Sequence, residues 1–328
     1  MGDKPDQDKS PRNHSSEIKT STKTGPANRS GGPSFVADFA KVGAYSCLAV
    51  TFTAPLDRVK LLLQCQHELR KTGRLSKPYK GALECALRIY RTEGFIPLFR
   101  GNLIACVKPF PEQAINFAMK EAVKKMTRLS KEENAYIKLA KNLCAGFLGS
   151  FATLGLVYSL DYCRTRMAAD VLQTGKDGTK KRQFSGIIDV YRQTMRSDGI
   201  VGLHRGFVVS CLGIIVYRGA YFGFYDTLSP MLLKTGQFKL FYAFGLGYGV
   251  TVLAGLVSYP LDTIRRRMMM TSCEQVKYKG WIDCARYAIK NDGFFSLYRG
   301  VFVTIVKGFL GVPFLIGYDV LKQNRSKS

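Results

Sequence analysis

Three short sequence patterns each recur three times along the chain, at intervals of about 100 residues. The first places an acid three residues before a base, at Asp57/Lys60, Asp161/Arg164 and Asp262/Arg265. The second begins with an acid–glycine pair and ends with an arginine–glycine pair, whose glycines are Gly101, Gly206 and Gly300. The third is an acid on the apolar stretch that follows: Glu121, Asp226 and Asp319. This shared rhythm predicts three copies of one structural unit.

Each copy has the same order of segments. A long apolar helix ends near the acid–base pair, a polar loop and a short amphipathic helix follow, and a second apolar helix completes the copy. We therefore predict an all-α membrane protein with six transmembrane helices in three pseudo-symmetric repeats, plus three short surface helices. The expected spans are 35–65, 103–127, 138–167, 207–230, 238–270 and 302–323. A disordered tail is expected over 1–34, and repeats over 35–130, 131–234 and 235–328.

The charge of the chain indicates an anionic partner. The 328 residues include 49 Lys and Arg against 24 Asp and Glu, a formal net charge of +25. A nucleic-acid-binding protein is disfavoured, because the segment from Leu240 to Leu261 is uncharged and long enough to cross a bilayer, which takes about 20 residues. Anionic lipid and a polyanionic substrate are the partners that fit such segments.

The sequence carries no pattern typical of catalysis or metal binding. The nine Cys show no ligand spacing and are expected to be free thiols. The three His are scattered, and we expect His14, His67 and His204 to be non-catalytic. We therefore predict no enzyme activity, no metal and no cofactor.

The triple pattern of Pro-x-Asp-x-x-Lys/Arg, acid-Gly and aromatic-Lys/Arg-Gly resembles the mitochondrial carrier family. The three arginines and three methionines at 265–270 resemble the signature of the ADP/ATP carriers within that family, as do segments 58–64, 213–226 and 254–260. The resemblance implies a multi-pass protein of the mitochondrial inner membrane that exchanges ADP for ATP by alternating access, with its short helices on the matrix side. The repeat leads us to expect a functional monomer. Association with respiratory or ATP synthase complexes is a further expectation.

The charged pairs are the expected gates. Acid and base three residues apart share one helix face, and charges near apolar helices usually pair across helices. The resemblance implies a matrix gate in which Asp57 pairs with Arg164, Asp161 with Arg265 and Asp262 with Lys60, braced by Gln64. It implies a cytosolic gate of Glu121/Lys124, Asp226 and Asp319/Lys322, where Ser229 replaces a base. Ordinary surface pairs are the alternative interpretation.

A site for ADP or ATP needs cations for the phosphates and a flat apolar face for the base. Tyr217, Tyr221 and Tyr225 share one helix face, either as stacking partners for adenine or as a stripe toward lipid or core. The resemblance implies adenine contacts at Gly213, Ile214 and Tyr217, next to Arg218, with Asn116 and Ser258 as polar contacts. The candidate phosphate cations are Lys60, Lys108, Arg266 and Lys307.

Six glycines mark expected lipid sites. Exposed amides at helix N-termini bind phosphate, and a glycine precedes each short helix at Gly81, Gly186 and Gly280. A simple loop turn is the alternative. The resemblance implies that cardiolipin binds at these helix starts as a structural lipid, opposite Gly101, Gly206 and Gly300.

Besides Ser229, four positions depart from the family pattern. Ser159 replaces an expected proline, Val50 replaces a lysine, and Lys108 and Lys307 replace arginines. Lysine keeps the charge but loses the bidentate fork of arginine. A missing charge-assisted hydrogen bond costs about 1.5–3 kcal/mol. Two alternatives to ADP/ATP exchange therefore stay open: a carrier of another nucleotide or anion, and a transport-deficient structural subunit of an inner-membrane assembly.

Overall fold

The computed structural model describes residues 33–115, 118, 135–174, 180–232, 239–274 and 277–311. Its helices follow the predicted order of segments within these ranges. They are α1 (Pro33–Lys71), α2 (Ala82–Glu93), α3 (Asn102–Val107), α4 (109–115), α5 (Ala135–Ala169), α6 (Ile187–Ser197), α7 (Gly199–Leu203), α8 (Phe207–Leu232), α9 (Lys239–Met270), α10 (Trp281–Asp292) and α11 (301–311). Two short 3₁₀ helices, Ile96–Phe99 and Phe294–Tyr298, precede α3 and α11.

The three long helices α1, α5 and α9 carry the acid–base pairs. They have 39, 35 and 32 residues. At 1.5 Å per residue they are about 48–58 Å long, well beyond the ~30 Å of a bilayer core. Pro55 and Pro260 lie inside α1 and α9, and α5 runs continuously through Ser159. Proline removes a backbone donor and clashes with the preceding turn, so a kink is predicted at each of these two residues.

The second of the six expected spans, 103–127, does not begin as one regular helix. The helix α3 ends at Val107, a turn follows at Lys108, and helical structure resumes at residue 109. Proline has no backbone N–H to donate, so Pro109 and Pro111 weaken the ladder of hydrogen bonds at this point. Lys108 keeps helical backbone angles (φ −52°, ψ −43°), so the described part of the expected span over 103–127 is present with this irregularity. Residues 116, 117 and 119–127 lie outside the described residues.

Each short helix covers one apolar cluster. Cys85 and Ile89 of α2, Val190 of α6, and Cys284 and Ala288 of α10 are buried in three separate clusters. The opposite face of each short helix is apolar and exposed, as at Leu83, which is 82% exposed. The three short amphipathic helices that the sequence predicted are present.

Two described helical segments are long and apolar enough to cross a membrane, and they are Gly199–Pro230 and Phe294–Gly311. Large apolar side chains lie exposed on α1, α8 and α11, including Phe52, Val208 and Phe309. Exposed apolar surface of this extent marks a lipid-facing or partner-facing side.

One short strand ladder lies among the helices, and the described residues otherwise fit the predicted all-α class. Two-residue strands β1 (Gln173–Thr174) and β2 (Lys180–Lys181) pair antiparallel, with Gln173 opposite Lys181. They lie in the loop between α5 and α6. A two-residue ladder leaves no trace in hydrophobic alternation, so the sequence carried no signal for it.

Candidate functional site

Three inter-repeat ion pairs form a closed ring near the C-terminal halves of the long helices. The Asp57 carboxylate lies 2.5 Å from Arg164, and Lys60 lies 3.3 Å from Asp262. Arg265 contacts Asp161. Repeat one is thereby joined to repeat two, repeat two to repeat three, and repeat three to repeat one. These are the three pairings that the resemblance implied for a matrix gate.

Each ring carboxylate also contacts a second cation. Lys307 lies 2.6 Å from Asp57, Lys108 lies 3.0 Å from Asp161, and Arg266 lies 3.2 Å from Asp262. All four predicted phosphate cations therefore contact ring carboxylates in this state. The sequence analysis placed Lys60 in both the gate and the substrate group, and the structure joins Lys108, Arg266 and Lys307 to the same network.

Gln64 braces the pair between the first and third repeats. Its side-chain Nε2 donates to Asp262 Oδ2 and to Thr263 Oγ1, each at 3.3 Å. The residue is fully buried, and a buried amide keeps its hydrogen bonds because losing them is costly. The bracing position implied by the resemblance is therefore occupied as expected.

The arginine–glycine pairs place the starts of α3, α8 and α11 against the ring. Gly101, Gly206 and Gly300 have φ of 85°, 88° and 87°. A Cβ on them would lie 3.2 Å from the carbonyl oxygen of Arg164, 3.1 Å from that of Arg265 and 3.4 Å from that of Lys60. Each glycine therefore packs on the backbone of a ring cation in the next repeat. Only glycine combines this backbone conformation with so close an approach.

A cavity of about 490 Å³ lies beside the ring, lined by α4, α5 and α8 together with Lys108. Four predicted substrate residues line it: Lys108, Ile214, Tyr217 and Arg218. Aromatic and aliphatic side chains form most of the rest, among them Tyr221 and Phe222. The combination of cations with flat apolar rings suits a ligand that has an anionic and an aromatic part.

The predicted tyrosine stripe is a stacked series. Ring centroids lie 6.3 Å apart for Tyr217 and Tyr221, and 6.2 Å apart for Tyr221 and Tyr225. Tyr217 and Tyr221 line the cavity, whereas Tyr225 is partly exposed. Of the two interpretations left open, the cavity-facing one therefore holds for the first two rings.

Other predicted substrate residues lie elsewhere. The Ser258 hydroxyl donates to the Gly255 carbonyl at 3.2 Å, and Ser258 is not part of the cavity lining. Gly213 lies next to the lining residue Ile214 and packs toward Leu261. Asn116 is outside the described residues.

Most of the predicted cytosolic gate is outside the described residues, namely Glu121, Lys124, Asp319 and Lys322. Asp226 is described and is exposed on α8, one helical turn before Ser229 and Pro230. This gate therefore stays a prediction.

A second set of inter-repeat contacts involves the acids of the acid–glycine pattern, to which sequence reasoning assigned no role. Glu93 accepts the Leu172 amide at 3.0 Å, and Asp198 accepts that of Cys273 at 3.3 Å. Asp292 lies 2.8 Å from His67 Nδ1. Each acid thus links its repeat to the next. Their threefold recurrence was a signal for such a role.

Fully buried arginines complete two of these contacts. Arg58 lies 2.8 Å from Glu93, and Arg267 lies 3.0 Å from Asp292. Burial alone would raise the pKa of Glu93, but Arg58 and the Leu172 amide, together with Arg182, lower it below its ordinary value. Glu93 is therefore held as a carboxylate.

Arg74 joins all three repeats, a contact that no pattern in the sequence predicted. It follows α1, it lies 2.6 Å from Glu274 of repeat three, and it donates to the side chain of Gln183 in repeat two. Gln183 also accepts from Arg166, at 3.4 Å, and Arg166 donates to the Met270 carbonyl at 2.7 Å.

The predicted lipid sites lie at the ends of the short helices. Gly81, Gly186 and Gly280 directly precede α2, α6 and α10. A second cavity, of about 420 Å³, is lined by Arg205 and Gly206 of repeat two and by Tyr278 and Lys279 of repeat three. It therefore brings an arginine–glycine pair beside the start of the next short helix, as the resemblance implied.

The eight cysteines whose side chains are described are all free thiols, as expected. No cluster of three or more metal-ligating side chains occurs within the described ranges.

Comparison with known proteins agrees with this arrangement. The sequence model of the mitochondrial carrier protein family matches residues 32–131, 136–236 and 236–328. The "ADP,ATP carrier protein, mitochondrial" of Solanum tuberosum is 49% identical over 290 residues, which cover 88% of this chain and 75% of that protein. The "ADP,ATP carrier protein" of Chlamydomonas reinhardtii is 47% identical over 289 residues, covering 88% and 94%. "ADP,ATP carrier protein 1, mitochondrial" of Triticum aestivum is 47% identical over 299 residues, covering 90% of each chain. The chain belongs to the mitochondrial carrier family.

Proposed function

We propose that this protein exchanges ADP for ATP across the mitochondrial inner membrane by alternating access. The observation that carries the proposal is the closed ring of three inter-repeat ion pairs beside a cavity that combines cations with aromatic rings. The named activity of relatives at 47–49% identity supports it. Localisation follows from the same kinship.

The ring couples substrate binding to opening. Phosphate oxygens accept hydrogen bonds from the same cations as the ring carboxylates do. When nucleotide phosphates bind Lys108, Asp161 loses its second cation. Binding to Lys307 removes the second cation of Asp57, and binding to Arg266 removes that of Asp262. Each carboxylate then keeps only its inter-repeat partner, so the closed ring loses stability relative to the open one. A ligand shifts such an equilibrium only by binding one state better than the other, and this exchange of partners supplies that difference.

The proposed topology has six transmembrane helices, with α2, α6 and α10 on the matrix side. The lengths of α1, α5 and α9 support three of the spans, and the two apolar segments at 199–230 and 294–311 support two more. The sixth begins with α3 and α4. The protein acts as a monomer, since one chain holds all three repeats.

Cardiolipin binds as a structural lipid at the starts of the short helices. The cavity between Arg205 and Lys279 is open, cationic and next to apolar surface at Ile200 and Val201. A diphosphate headgroup with acyl chains has matching chemistry.

Exchange is measured with the purified chain in cardiolipin-containing liposomes loaded with unlabelled ADP, with labelled ADP or ATP outside. We expect uptake that needs internal nucleotide. Arg266→Ala is expected to abolish it, because one carboxylate partner and one phosphate cation are lost together. Arg286→Ala is the matched control, since Arg286 is exposed on α10. Absence of uptake from wild-type protein with a cooperative thermal transition refutes the proposal and favours another anion or a structural role.

A further inference from the structure

Glu112 occupies an unexpected place in the cavity. The cavity lining contains two cations, Lys108 and Arg218, and two acids, Asp161 and Glu112. Asp161 belongs to the ring and is neutralised by Arg265 and Lys108. Glu112 belongs to no ring, and it lies one helical turn beyond Lys108, whose ammonium it attracts.

Comparison of the repeats shows that this acid is special to repeat one. Lys108, Gly213 and Lys307 follow their arginine–glycine pairs by the same number of residues. One turn further along, the three repeats have Glu112, Tyr217 and Gly311. Repeat two thus supplies an aromatic ring, repeat three supplies no side chain, and repeat one supplies a carboxylate.

A carboxylate is poorly suited to the phosphate end of a nucleotide. Like charges repel strongly in a cavity of reduced dielectric constant. The Lys307 ammonium is more accessible than that of Lys108, with 36% against 25% of the side chain exposed, and no acid follows it on α11. The phosphate chain is therefore better placed on the Lys307 side of the ring.

The base of the nucleotide is then expected in the part of the cavity where Glu112 lies. The same cavity wall carries Ile214, Tyr217, Tyr221 and Phe222, which provide the flat apolar surface that a purine requires. A carboxylate has two oxygens with about four acceptor positions, so attraction to Lys108 does not use up its capacity. The exocyclic amino group of adenine is a donor, whereas the oxygen at the same position of hypoxanthine is an acceptor.

We propose that Glu112 selects the base by accepting a hydrogen bond from the 6-amino group of an adenine that lies against Tyr217. The inference rests on the proposed nucleotide exchange. It identifies a specificity-determining residue for that exchange. A 6-oxo purine presents an acceptor to the carboxylate, so two acceptors face each other and the base is rejected.

The test compares ADP with inosine diphosphate, which differs at this group. Unlabelled ADP or inosine diphosphate competes with external labelled ADP in liposomes loaded with ADP, for wild type, Glu112→Gln and Glu112→Ala. We expect the wild type to prefer ADP by about tenfold or more, because a site built for a donor rejects the analogue without it. In Glu112→Gln the amide can accept from adenine or donate to hypoxanthine, so the preference is expected to fall to about threefold or less.

The preference is a ratio within one preparation, so reduced activity or poor insertion of a variant does not affect it. Gln113→Ala, an exposed neighbour on α4, is the control and is expected to keep the wild-type ratio. Equal acceptance of both nucleotides by the wild type overturns the proposal. An unchanged preference in both Glu112 variants also overturns it. Failure of the wild type to take up any adenine nucleotide refutes the exchange function itself, which is a separate result.

Discussion

Replacing Gly206 with alanine tests how the start of α8 holds the ring in place. Gly206 has a φ of 88°, and a Cβ there would lie 3.1 Å from both the Arg265 carbonyl oxygen and the Tyr158 hydroxyl. Neither neighbour can move easily. Arg265 is a ring cation within α9, and Tyr158 is fully buried with its hydroxyl donating to the Arg205 carbonyl at 3.0 Å.

Two costs add in this variant. A non-glycine residue in the left-handed conformation costs roughly 1–2 kcal/mol. Crowding that displaces a packed backbone costs about 1–3 kcal/mol more. The free energy of unfolding is therefore expected to fall by about 2–5 kcal/mol.

Two further glycines separate these costs. Gly199 has a φ of 62° and no atom within 4 Å of its Cβ position, so Gly199→Ala carries the conformational cost alone. Gly155 lies inside α5 with equally open space, so Gly155→Ala is expected to stabilise the helix by roughly 0.5–1 kcal/mol.

The assay is thermal unfolding in detergent containing cardiolipin, together with nucleotide exchange in liposomes. Unfolding temperatures are expected to decrease in the order Gly155→Ala, wild type, Gly199→Ala, Gly206→Ala. If Gly206→Ala unfolds no earlier than Gly199→Ala, the close approach to Arg265 has no energetic weight. The reasoning that this glycine positions the ring is then refuted.

Three further predictions concern the contacts between repeats. Gln64→Ala removes two hydrogen bonds, so we expect the free energy of unfolding to fall by about 1–3 kcal/mol, and an unchanged thermal transition contradicts the bracing role. Arg74→Gln is expected to lower the unfolding temperature more than Arg88→Gln, because the hydrogen bonds of Arg88 to described residues all lie within repeat one; equal effects argue against the three-repeat contact. The lowered pKa of Glu93 means that its ion pairs stabilise the fold above its ordinary pKa of 4.5 and are lost as pH falls through the lower folded value. In acid titrations followed by thermal unfolding, Glu93→Gln is thus expected to be less stable than wild type at neutral pH but to lose less stability on acidification, and parallel curves contradict this.

The residues of the ring could be predicted from the repeats. Asp57, Asp161 and Asp262 recur with the threefold rhythm, and each has a base three residues later. A closed threefold arrangement then leaves few ways to pair them, and the family resemblance selects one. The pairings observed are those that the resemblance implied.

The role of Lys108 and Lys307 could not be predicted in the same way. From the sequence they are cations on apolar helices, equally suited to a phosphate or to a carboxylate. Their distance from Asp161 and Asp57 is decided by where α3 and α11 begin. That point depends on the glycines that pack on the next repeat.

The sequence by itself determined the three repeats, the order of helices within each and the three short helices, and the family resemblance implied the pairs of the ring. These features follow from the local periodicity of each segment and from the recurrence of one pattern in all three repeats. Only the tertiary structure decided the second partners of Asp57 and Asp161, the contact of Arg74 with the other two repeats, and the position of Glu112 in the cavity. Such contacts join residues far apart in the chain. They therefore depend on how whole helices pack against one another, and hydrophobic periodicity carries no record of that packing.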